Sequence, residues 1–211
     1  MFYFYMVILM ISFIVGVDIA AGEEHFDSDN FPHLHHPHLD AFKKAKDLNV
    51  NITMHAGEVG KVDYVLRAID DYGAKRIGHG YRIVDDPEKM AKILKRGVHF
   101  EVCPTSSVET GAWDFDKCQI TGKKLWKNHP VKTMIEFGFS VGLNTDDPSV
   151  FDTDLGWQYR IATSKMGLSV EHLVRTIFHS VDAAFCEENV KKSLREDILS
   201  FLNNNNLISE F

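Results

Sequence analysis

The chain has 211 residues, 45% hydrophobic and 25% charged, which is enough for one domain with a buried core and too apolar for a disordered protein. Its formal net charge of −7 lacks the basic excess of proteins that grip phosphate backbones, so nucleic acid is excluded as the expected partner. Its cysteines, Cys103, Cys118 and Cys186, form no C-x-x-C pair, so neither a disulfide framework nor a thiolate zinc site is expected and the composition reads as cytoplasmic.

The chain opens on "MFYFYMVILMISFIVGV", apolar from Phe2 to Val17 except for Ser12 and Gly16. No Lys or Arg precedes this run and no small-residue cleavage site follows it, so it lacks the marks of a secretory signal. It falls short of the roughly 20 residues that span a bilayer, which leaves membrane attachment through residues 2–17 as the alternative to a strand buried on both faces. That strand takes "SFIVGVDIAAGEE". Residues 1–14 are a leader no strand requires, 15–203 form the domain, and 204–211 are a polar tail expected to fray.

A repeating order follows. "VNITMHAG" (50–57) is β-branched and ends in glycine, as a strand does. "KVDYVLRAIDDYG" sets Val62, Val65, Leu66, Ile69 and Tyr72 at helical spacing, with Gly73 as the stop. "KRIGHG" is a short strand ending at His79. "DDPEKMAKILKRG" has Asp86 as N-cap, Pro87 at the first helical position and an apolar face of Met90, Ile93 and Leu94. "VHFEVCP" is a strand closed by Pro104, "HPVKTMIEFG" a helix, and "FSVGLNTDDP" a strand running into two aspartates. "SVEHLVRTIFHSV" and "EENVKKSLREDILSFL" are amphipathic helices.

Strand and helix alternating four or five times predict a parallel α/β architecture. His55 with Glu58, His79, and Asp146 with Asp147 all fall at the carboxyl ends of successive strands. A (β/α)8 barrel gathers such ends at one mouth, whereas a flat sheet spreads them along an edge, so a TIM-type barrel is expected. Imidazole and carboxylate are standard ligands for zinc, and a carboxylic acid that is not a ligand can shuttle protons beside it. Alone, each residue reads as a structural histidine or a turn acid. Their joint placement is what argues for chemistry.

"MHAGEVG", "RIGHGYRI", "FEVCPTSSVETGAW" and "VGLNTDDPSVF", in this order and spacing, resemble the adenosine deaminase family of the metal-dependent amidohydrolases, from about Gly16 to the final helices. The resemblance implies a Zn²⁺-bearing (β/α)8 barrel that hydrolyses adenosine and deoxyadenosine to inosine and ammonia, with a purine nucleoside as its small-molecule partner. Carried over by position, it makes His55 and Asp146 metal ligands and Glu58 the acid that protonates purine N1. His79 orients or deprotonates the attacking water, Asp147 meets purine N7, and Gly22 contacts the purine edge. The family's H-x-H pair on a first barrel strand has no counterpart here, so the expected fold is a barrel truncated to roughly strands 4–8. "FPHLHHPHLD" offers His33 to His38, but it lies in a loop and helix start between strands, where surface histidines or weak adventitious metal binding are expected. A half-barrel leaves two open sheet edges, which invite self-association. Three other readings remain open: an inactive chain, an edge-exposed binding or dimerising module, and a deaminase of adenine, AMP or a methylated purine. His99, His129, His172 and His179 are expected to be structural, and Trp113 to pack its loop.

Overall fold

The computed structural model describes residues 14–20, 23, 32–113 and 126–207, with backbone alone for 32–37. Most of the apolar leader, Gly22 and Cys118 lie outside the described residues. Five strands form one parallel sheet in chain order: β1 (Gly16–Val17), β2 (Asn51–Ala56), β3 (Arg76–His79), β4 (His99–Val102) and β5 (Ser140–Leu143). Helices α1 (Pro32–Asp47), α2 (Val62–Asp70), α3 (Pro87–Leu94), α4 (Pro104–Glu109) and α5 (Pro130–Glu136) connect them. After β5 come α6 (Pro148–Phe151), α7 (Leu155–Ser164), α8 (Val170–Ala183) and α9 (Glu188–Asn204). Strand followed by helix is the expected order. No helix among the described residues is long and apolar enough to cross a membrane.

The register sorts the side chains into rows. Met54, Ile77, Phe100 and Val141 are aligned across four strands, and all are buried. They form one core with Val65 and Ala68 of α2, Met90 and Ile93 of α3, and Met134 and Ile135 of α5. Fully burying each large side chain in that row contributes about 1.5–3 kcal/mol by transfer from water. One residue earlier on each strand the alternation reverses, and the aligned row is Thr53, Arg76, His99 and Ser140. This polar face is paired internally. Glu101 accepts from the Thr53 hydroxyl at 2.8 Å and lies 2.9 Å from the Arg76 guanidinium, while His99 Nδ1 meets Ser140 Oγ at 2.8 Å.

Local rules explain the helix starts. Asp86 accepts from the Lys89 amide at 3.0 Å with Pro87 at the first position of α3, and Ser169 with His172 forms a capping box on α8. His129 caps α5 by accepting from the Val131 amide, and His179 accepts from the Val141 amide at the β5 edge. These histidines are structural, as expected. The histidine tract lies at the helix start expected of it: Pro32 opens α1 and His38 is exposed on it. Two points differ from the sequence expectation. β4 ends at Val102 and Pro104 opens α4, a helix whose "PTSSVE" has no apolar period but whose Pro104 to Val108 are all buried. The polar stretch does not fray at once, because α9 runs through Asn204.

Two buried imidazoles make stability depend on pH. Burial holds His99 down to about 3, helped by the charges of His179 and Arg76, and burial alone holds His129 to about 3. Both are therefore neutral in the fold and gain a proton more readily when unfolded. Their contribution is complete above an unfolded value near 6.5 and is lost as pH falls toward 3, at about 1.4 kcal/mol per pH unit each. Together they should remove about 4 kcal/mol between pH 7 and pH 5. Urea midpoints measured across that range check this, and His99→Gln should roughly halve the slope contributed by the pair.

Candidate active site

His55 is the penultimate residue of β2, and its Nδ1 lies 3.2–3.3 Å from the two carboxylate oxygens of Asp18, just past β1. His79 closes β3 with a left-handed φ of 63° and is 2% exposed. Asp146 lies three residues beyond β5, also left-handed at φ 61°. Such a backbone costs a residue other than glycine of order 1–3 kcal/mol and persists where the surroundings impose it. Here it turns two side chains from neighbouring parts of the sheet toward one point. The Asp146 carboxylate is fixed there by the Ser106 hydroxyl, which donates to it at 2.6 Å.

Glu58 reaches the same point from the loop after β2. Gly57 makes that turn at φ 72°, and a Cβ on it would stand 2.6 Å from Val65 Cγ2, so only glycine is accommodated. The Arg82 amide donates to the Gly57 carbonyl at 2.9 Å and pins the turn from the next strand-to-helix connection. His79 Nε2 then lies 3.6 Å from Glu58 and 3.8 Å from Asp146, and the His55 and His79 rings are 5.0 Å apart. One donor atom each of His55, His79 and Asp146 falls within 4.8 Å of the others. A cavity of about 250 Å³ opens beside them, lined also by Glu101, Cys103 and Asn144.

The electrostatics follow from crowding acids and imidazoles under partial cover. Burial, then the charges of Glu23 and Asp146, push the Glu58 carboxyl up to about 7, against a smaller opposing effect of His55. Burial and the neighbouring His55 hold His79 down to about 4, despite Asp146 and Asp18. Burial pulls His55 down too, but the hydrogen bond and charge of Asp18, with Asp146 and Glu58 behind them, leave it raised. Adjacent groups thus stand with their proton affinities pushed apart, the pattern expected of acid and base partners.

Two nitrogens and an oxygen at this spacing suit a borderline divalent cation such as zinc. His79 turns its Nε2 toward Glu58 and Asp146, which leaves a ring nitrogen beside the carboxylate and imidazole that the other two residues supply. The donor set therefore fits a metal. Of the other expected site residues, Asp147 is exposed at the N-cap of α6, outside this cluster, and Gly22 lies outside the described residues. Asp18 and Ser106 were not singled out from sequence. Asp18 carried a signal, since it follows the first strand as the other polar residues follow theirs. Ser106 carried none. Trp113 is partly buried against the core with the Arg82 guanidinium 5.4 Å over its ring, the packing role expected of it.

Parallel strands that bring two imidazoles and a carboxylate together at their carboxyl ends define the amidohydrolase type of β/α barrel site. The chain belongs to the adenosine deaminase family, whose model, described as "Adenosine deaminase", matches residues 9–201. An adenosine deaminase of Aliivibrio fischeri is 33% identical over 183 residues, which are 87% of this chain and 50% of that protein. The Arabidopsis N6-mAMP deaminase superposes with a TM-score of 0.70 at 27% identity, covering 88% of this chain and 50% of that one. An amidohydrolase from Burkholderia ambifaria, solved with bound Zn, gives a TM-score of 0.78 at 24% identity over 97% of this chain and 54% of its own, a likeness of fold. The sheet is accordingly a partial (β/α) barrel. The chain spans about half the length of the relatives it matches.

Proposed function

We propose that this chain carries a zinc-dependent purine-deaminating site that replaces the 6-amino group of adenosine or deoxyadenosine with oxygen, giving inosine and ammonia. One observation carries the reading: His55, His79 and Asp146 present donor atoms within 4.8 Å of one another, with Glu58 3.6 Å from His79. His55 and Asp146 would hold the metal, with His79 alongside. When bound, zinc supplies Lewis acidity and a nucleophile of hydroxide strength at neutral pH. Asp18 fixes the direction of the His55 ring and Ser106 that of the Asp146 carboxylate, the outer support such ligands need.

Glu58 donates a proton to purine N1, which draws electron density away from C6 as water adds there. Its elevated proton affinity keeps an acid available near neutral pH. His79, neutral at that pH, accepts or orients the proton of the attacking water. The family resemblance pairs Asp147 with purine N7 and Gly22 with the purine edge. The cavity of about 250 Å³ is open enough to admit a planar base.

The test is the ultraviolet absorbance change as adenosine becomes inosine, followed on purified zinc-loaded chain. Adenine, AMP and N6-methyl-AMP are run in parallel. Adenosine and deoxyadenosine should react fastest. Folded, zinc-loaded protein that turns over none of these five overturns the reading, and preference for a nucleotide or free base moves the substrate within the class.

A further inference from the structure

Glu23 stands apart from the site residues and is only 5% exposed. Its carboxylate takes three successive amides from the loop after β2: Glu58 N at 3.2 Å on Oε1, then Val59 N at 2.8 Å and Gly60 N at 2.5 Å on Oε2. A buried charge needs such partners, and hydrogen bonds to an ionised acceptor are roughly twice as strong as neutral ones. The loop is shaped to receive it. A Cβ on Gly60 would come 3.0 Å from Glu23 Oε2 and would strike the Tyr64 ring, so the glycine is what lets the carboxylate reach the backbone. Counting the Arg82 amide on the Gly57 carbonyl, the turn bearing Glu58 is held from two sides.

We propose that Glu23 is a positioning residue for Glu58: by gathering the amides of residues 58 to 60 it sets where the Glu58 side chain stands relative to His79. The first of those amides is Glu58's own, so the bonded nitrogen is directly attached to the Cα that carries the acid. Glutamine at 23 keeps the volume but replaces one accepting oxygen with a donating amide, and alanine removes the anchor. Only the kinetic consequence of this proposal rests on the deamination reading.

The decisive measurement is the ¹⁵N resonances of the His79 imidazole in metal-free protein at one fixed pH, compared among wild type, Glu58→Gln, Glu23→Ala, Glu23→Gln and the double variant Glu23→Ala/Glu58→Gln. Displacement by Glu23→Ala in the same sense as by Glu58→Gln, with nothing further in the double variant, supports the proposal. Amide exchange at 58–60 should quicken by roughly tenfold or more, the loss expected for hydrogen bonds to a charged group. If the alanine variant does not fold, the glutamine variant decides by the same criterion. Faster exchange with His79 unmoved means that Glu23 braces the loop without placing Glu58, and overturns the proposal. In active protein, kcat should fall by about tenfold while KM changes less than twofold, as expected when an interaction made in the transition state is lost. Absence of turnover in the wild type defeats the deamination reading alone, and the imidazole comparison still decides this one.

Discussion

Glu58→Gln should lower adenosine turnover by about 10²–10⁴-fold, the range associated with one positioned acid or base. That is about 3–5 kcal/mol of barrier. The substitution preserves length and planarity, so the side chain still fits beside His79, but it has no proton to transfer. The loss should appear in kcat and equally in kcat/KM, because N1 protonation is an interaction made in the transition state. Zinc affinity should stay within twofold of wild type, since Glu58 supplies none of the clustered donor atoms. Steady-state kinetics with a chromophoric chelator titration checks both halves. A variant that retains more than a tenth of the activity would remove Glu58 from the proposed mechanism.

Zinc should raise the thermal midpoint of the wild-type chain, and His55→Ala should abolish the rise. A ligand bound only by the folded state at about 100 times its Kd adds about 2.7 kcal/mol. For a chain of this length each kcal/mol is worth about 2–4 °C, so the expected shift is roughly 5–11 °C. Removing His55 takes away one of the three clustered donors and leaves Asp18 without the imidazole it orients. Asp146→Ala should behave alike, Glu58→Gln should keep the full shift, and EDTA should reverse it. Calorimetric scans with and without metal are sufficient. An undiminished shift in His55→Ala would place the metal elsewhere, with the histidines at the start of α1 as the next residues to replace.

What could be read from sequence depended on whether the signal was local. The strand around His55 announces itself because a β-branched run ends in glycine, and the helices over Val62–Asp70 and Pro87–Leu94 because their buried residues recur at helical spacing. His55, Glu58, His79 and Asp146 were legible as strand-end polar residues, and the structure gathers all four. The helix over Pro104–Glu109 was not legible, because "PTSSVE" is buried by its neighbours rather than by any periodicity of its own. Ser106 was missed with it. Among the described residues of "SFIVGVDIAAGEE" the strand pairs with β2 at Gly16 and Val17, and the Ile19 carbonyl accepts from the His55 amide beyond them, since apolar composition shows that a segment can be covered but not how much of it finds a partner. Glu23 was hidden for a different reason. A carboxylate that bonds backbone amides across 35 to 37 residues leaves no pattern in either stretch of sequence.

The alternation of rows in the sheet bears on how such a chain diversifies. Met54, Ile77, Phe100 and Val141 are sealed under the helices, while Thr53, Arg76, His99 and Ser140 face the opposite way, one backbone step earlier. Arg76, His99 and Ser140 are the first residues of their strands, at the end opposite the mouth, so a mutation there alters charge or hydrogen bonding beneath the site without opening a void in the first row. The barrel end away from the site can therefore change its polar pairings while the hydrophobic row keeps the sheet sealed against its helices.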